Sequence, residues 1–152
     1  MSPRKDRTGV VLDTNVLVGY YLSRKKDSAN SKVFLLWRTR RTLQLIVSDE
    51  VMAEYLEILR RLGVPDVRTS RLEEQIRDRQ TVSHTNLGTH PTESRDPDDN
   101  VMLATAAAGK AEYLVTNDHD LLDVPEAAQK QFRFAIVTPG QLLAKLEEKA
   151  IR

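Results

Sequence analysis

VVLDTNVLV, residues 10–18, is an apolar run that stops at an acid and then turns polar. Val10-Val11-Leu12 has the unbroken hydrophobicity of a parallel strand covered on both faces. Asp13 abuts that strand, and a carboxylate at such a boundary must be paired, hydrogen-bonded or metal-bound. Residues 15–22 can follow as a short helix. A strand feeding directly into a helix opens a βα unit.

The same alternation recurs outward from this point. Residues 28–40 carry Val33, Leu36 and Trp37 at helical spacing with basic residues opposite, which favours a core place for Trp37 over a stacking one. Residues 43–47, LQLIV, form a second strand candidate. Ser48 sits where an N-cap belongs, followed by Val51, Tyr55, Ile58 and Leu62 along one expected face and Gly63 as a stop. The signal weakens over 63–97, with a charged helix at 69–79, a short strand at 81–84 and a Thr/Pro/Gly/Ser-rich loop at 86–97. Order returns with a small-residue helix at 101–108, then Tyr113-Leu114-Val115-Thr116 as a strand. The polar turn Asn117-Asp118-His119-Asp120 comes next. Residues 134–137 form a further strand, and Pro139 opens a last helix to about residue 149. Strands alternating with helices predict one α/β domain over residues 1–152, with a tail at 1–8 and a variable region at 63–97. Its central parallel sheet is expected to hold four to five strands between helix layers.

Composition narrows the chemistry. The 152 residues are 40% hydrophobic and 30% charged, which fits one water-exposed globular domain with a real core. No apolar run reaches the ~18 residues of a membrane span, and residues 1–10 lack the apolar stretch of a secretory signal. A cytoplasmic protein with no membrane association is the expectation. There is no cysteine, so disulfides, thiolate metal sites and cysteine nucleophiles are excluded. With three histidines, His84, His90 and His119, a histidine-rich zinc site is not expected. Oxygen ligands remain, and they favour Mg²⁺ or Mn²⁺. Net charge is +1, but the signs segregate. Basic residues crowd at 4–7, 24–26, 38–41 and 60–61, and acids at 96–99 and 118–123. Basic surfaces beside an acidic centre suit a phosphate-bearing substrate; solvated helix faces are the plainer reading.

Ligands of an open parallel sheet bind at the carboxyl ends of its strands. Asp13 directly follows the first strand, and Asp118 lies just past the strand at 113–116. Glu54 and Asp99 come from helices. Glu54 sits among Val51, Ala53, Tyr55 and Leu56, while Asp99 opens the helix at 101–108. A surface position explains Glu54 equally simply, and the helix dipole explains an acid in a first turn. Four converging carboxylates would repel one another unless a divalent ion neutralised them, and that ion could activate water against a phosphodiester. Thr14, Asn15, Thr116 and Asn117 place neutral polar groups beside these acids.

Taken together, VVLDTNVLV at 10–18, VSDEVMAEYLEIL at 47–59, DPDDNVMLATAAAGKAEYLVTNDHDLL at 96–122 and IVTPGQLLAKL at 136–146 resemble PIN-domain proteins. The likeness is to the VapC-like toxin components of toxin–antitoxin systems, and it covers most of the chain outside 63–95. The resemblance implies a PIN-like three-layer α/β/α fold and a ribonuclease acting on single-stranded RNA with Mg²⁺ or Mn²⁺. A homodimer and a small antitoxin partner are further implications. It implies Asp13, Glu54, Asp99 and Asp118 as metal-binding and catalytic acids, with Asp96 the rival of Asp99. Asp120 is implied as a secondary ligand or supporting group, and Asn15 and Thr116 as residues orienting acids or water.

Four other readings are weighed, two that keep the fold and two that the residues present argue against. A PIN fold could grip RNA or a partner without cleaving, or could process RNA with no toxin role. A phosphoryl-accepting receiver domain needs a lysine after a later strand, where this chain has Thr138-Pro139. A dinucleotide site needs a glycine-rich loop after the first strand, and none is present.

Overall fold

The computed structural model describes residues 7–25, 27–39, 42–88, 97–124 and 131–151, with the backbone alone at 97–100 and 151. Its strands are β1 (Thr8–Leu12), β2 (Leu43–Val47), β3 (Val82–His84), β4 (Tyr113–Val115) and β5 (Ala135–Val137). Its helices are α1 (Thr14–Leu22), α2 (Ala29–Arg38), α3 (Asp49–Arg61), α4 (Asp66–Arg77), α5 (Pro97–Ala108), α6 (His119–Leu122) and α7 (Pro139–Ile151). All four strand pairings are parallel, and the sheet order is β3-β2-β1-β4-β5.

That order positions the site. From β1 the chain moves one way to β2 and β3, then returns to β1's other side for β4 and β5. The crossovers therefore diverge between β1 and β4, which opens a crevice at the carboxyl edge. β1 and β2 are buried at every position, as helices on both faces require. Val10, Leu12, Leu45, Ile46 and Leu114 lie in one core with Phe34, Trp37, Tyr55 and Leu59. Trp37 is wholly buried, and its indole N–H donates to the Thr81 carbonyl at 3.1 Å, joining α2 to the residue just before β3.

Several expected boundaries shift. β1 begins two residues earlier, at Thr8, because pairing with β2 recruits Thr8 and Gly9 although neither is apolar. In α3 the buried residues are Val51, Tyr55, Leu56 and Leu59. Ile58 turns toward the crevice, and Leu62 is 47% exposed at the C-cap rather than on the core face. Gly63 ends the helix at φ +90°, a conformation in which a side chain would be strained. Within the variable region, α4 starts at Asp66, and Val82–His84 adds as a parallel edge strand. Pro97, expected in a loop, is the first residue of α5, where a missing N–H costs nothing.

Candidate active site

Strand ends and helix starts meet at the crevice. Asp13 leaves β1 and caps α1, its Oδ1 accepting the Thr14 N–H at 2.8 Å. Its own N–H donates to the Val115 carbonyl of β4 at 2.8 Å, so the backbone at Asp13 is pinned to the neighbouring strand. Oδ2 accepts the Thr116 hydroxyl at 2.7 Å and the Asn15 amide at 3.2 Å. A carboxylate offers about four acceptor positions, so three donors leave it one direction open.

Thr116 does more than hold Asp13. Its single hydroxyl hydrogen goes to Asp13, so the same oxygen accepts the Asp118 N–H at 2.9 Å. Asp118 in turn caps α6 by accepting the Asp120 N–H at 2.9 Å. One buried threonine thus ties both strand-end acids together.

Glu54 faces the crevice from α3 and accepts the Thr14 hydroxyl. Ser48 fixes that helix. Its hydroxyl caps the Val51 N–H at 3.1 Å and stands 2.9 Å from Thr105 Oγ1 on α5. The Thr105 proton is committed to the Val101 carbonyl at 2.7 Å, so Ser48 donates across to α5. Under Glu54, the buried Tyr55 hydroxyl donates to the Leu12 carbonyl at 2.5 Å, one residue before Asp13. Burial, with the charges of Asp13 and Glu54, pushes the Tyr55 phenol well above its usual range, which leaves it a neutral donor.

These elements bound a cleft of about 700 Å³. Asp13, Glu54 and Asp118 line it, with Glu50, Glu57 and Arg61 from α3 and Val101 and Met102 from α5. Burial raises the Asp13 carboxyl above its ordinary value; the Thr116 and Thr14 hydrogen bonds oppose this, the Asp118 charge adds to it, and the Asn15 bond lowers it. Among the described residues no salt bridge to Asp13 or Asp118 offsets this repulsion.

The donors are oxygens throughout, which suits a hard divalent cation. Of the histidines, His84 Nε2 lies 2.8 Å from the Ile76 carbonyl, and His119 is exposed on α6. Among the described residues no three acidic or imidazole groups form a ready-made metal cage. The backbone of Asp99 lies in the first turn of α5, whose next residues line the cleft, and its side chain is outside the described atoms. Asp96 lies outside the described residues. Asp120 is exposed and does not line the cleft; its contribution is the backbone N–H given to Asp118.

Two groups had no local signal as site residues. Glu50 reads as a first-turn helix acid, yet it lines the cleft. Asn30 on α2 accepts the Asn117 side-chain amide at 2.9 Å, a contact between residues 87 positions apart.

The family model described as PIN domain matches residues 9–120, about three-quarters of the chain and every element of this site. The chain belongs to the PIN domain family. This PIN domain is also similar in fold to a solved structure of VapBC2 from Rickettsia felis bound to a DNA fragment from their promoter. The TM-score is 0.54 at 16% sequence identity, covering 86% of this chain and 98% of that chain. At that identity the likeness speaks for the fold. No curated protein sequence matches this PIN domain. Among the described residues, no helix is long and apolar enough to cross a membrane.

Proposed function

We propose that this PIN domain is a divalent-metal-dependent endoribonuclease that hydrolyses phosphodiester bonds in single-stranded RNA. The observation that carries this reading is the junction of Asp13 and Asp118 through Thr116 at the switch point of the sheet. Asp13, Glu54 and Asp118 would hold Mg²⁺ or Mn²⁺, with Asp99 the fourth acid from α5. Bound there, the cation supplies Lewis-acid activation of water and of the phosphodiester.

The chain's own residues prepare that chemistry. Thr14, Asn15 and Thr116 fix both oxygens of Asp13, leaving one acceptor direction facing the cleft. Thr14 holds Glu54 toward the same space. Val101, Met102 and Leu121 supply apolar walls that limit water beside the acids. Arg61, at the far end of the α3 wall, is a cationic lining residue that a flanking phosphate could reach.

Cleavage of a mixed RNA pool with and without Mn²⁺, set against Asp13→Asn, tests the proposal. Metal-dependent cleavage that the substitution abolishes supports it. Cleavage unchanged in Asp13→Asn refutes it, and binding without cleavage favours a silent RNA-gripping module. The likeness to VapBC2 further supports a toxin role with a small antitoxin partner, and a homodimer is the state proposed with it. Copurification of a small protein that suppresses cleavage would bear on that part separately.

A further inference from the structure

We propose that Asn30 and Gly19, neither of which lines the cleft, are positioning residues for the carboxylate of Asp13; their consequence for turnover rests on the nuclease reading.

The chain of contacts is continuous. Asn15 can serve Asp13 only if its amide nitrogen, not its oxygen, faces the carboxylate. That orientation is set from behind, because Asn15 Oδ1 accepts the Asn117 backbone N–H at 3.2 Å and the Asn117 side-chain amide at 3.3 Å. The Asn117 amide has two hydrogens. The second goes to Asn30 Oδ1 at 2.9 Å. Asn30 therefore holds Asn117 in the rotamer that locks Asn15.

Asn30 reaches this position only because α1 carries no side chain where α2 crosses it. A methyl group added at Gly19 would lie 2.2 Å from Asn30 Nδ2 and 2.6 Å from its Cγ. Gly19 is thus a close-approach glycine in the interior of a helix, where the residue otherwise costs stability. The two residues act as one device, and neither touches Asp13.

The test uses the full chain. Asn30→Ala is expected to slow turnover at saturating RNA about five- to tenfold with KM unchanged, the scale of one lost hydrogen bond. Gly19→Ala should match it by displacing Asn30. The double variant should be no slower than Asn30→Ala alone, because the clash is gone and the lost bond is shared. Independently of activity, exchange of the Asn15 side-chain amide protons in metal-free protein, followed by NMR, should accelerate in Asn30→Ala. Asn30→Asp, which keeps an acceptor oxygen, should retain the protection. Wild-type exchange in Asn30→Ala overturns the inference, as do single-variant losses that multiply in the double variant. Should Gly19→Ala fail to fold, Asn30→Ala and Asn30→Asp carry the test. Should the wild type cleave no RNA, the nuclease reading fails while the Asn15 exchange still decides this one.

Discussion

Thr116 Oγ1 stands 2.7 Å from Asp13 Oδ2, a contact between the ends of adjacent strands that are 103 positions apart in the chain. Thr116 is fully buried, and the same oxygen receives the Asp118 N–H. Thr116→Val keeps the shape and removes both bonds. Metal affinity or turnover should fall about 10–100-fold, as for other residues that orient a ligating group. Calorimetric titration with Mn²⁺ and single-turnover cleavage measure the two effects.

The carboxyl of Asp13 gives a pH prediction for the metal-free protein. Burial, the largest influence, holds its folded pKa above the ordinary carboxyl value of 3.8. A raised folded pKa contributes stability that is fully present below the unfolded pKa and lost as pH rises through the folded one. Asp13→Asn does not titrate. Its stability relative to wild type should therefore increase as pH rises through the folded pKa and level off below about 3.8. Urea midpoints of both proteins across that range check it; a pH-independent difference contradicts it.

Arg61 pairs with Glu57 at 2.6 Å on an exposed stretch of α3 that forms one wall of the cleft. Such a pair is worth little in itself, so a phosphate can displace it. In an Asp13→Asn background, Arg61→Gln should weaken binding of a labelled single-stranded RNA and reduce its salt slope by about 0.7. Glu57→Gln should strengthen binding by freeing the guanidinium. Fluorescence anisotropy across salt concentrations separates these outcomes.

Trp37 tests the core rather than the site. Trp37→Phe leaves a cavity and removes one of the two hydrogen bonds to the Thr81 carbonyl, which keeps the Leu45 N–H at 3.0 Å, and should cost about 1–3 kcal/mol. At this size the melting temperature should fall by about 2–4 °C per kcal/mol. Specific activity of the folded protein should not change.

The fold is legible in the sequence wherever local signals agree. β2 can be read to the residue, because Leu43, Leu45, Ile46 and Val47 are apolar around a single Gln44 and Ser48 caps the helix after it. The start of β1 cannot, since only the β2 pairing makes strand residues of Thr8 and Gly9. Val82-Ser83-His84 is a weak strand by composition, and its place at the sheet edge comes from pairing with β2. The first half of the α3 face, Val51 and Tyr55, is legible, but the second half is not: Ile58 is as apolar as Leu59, and only the neighbouring cleft shows which is turned outward.

For the site, Asp13 and Asp118 are visible because strand direction alone sends both to the carboxyl edge. Glu54 can be placed on its helix, but its bond from Thr14 spans 40 positions and has no sequence signature. Asn30 is a contact of the tertiary structure, prepared by a glycine that reads as nothing more than a weak helix residue.

The most direct test of the shared-cation account is anomalous diffraction at the manganese edge from crystals grown with Mn²⁺. The account predicts a peak within coordination distance of both the Asp13 and Asp118 carboxylates, lost in Asp13→Asn crystals. A peak that survives the substitution, or one bound elsewhere with these two carboxylates bare, would contradict it.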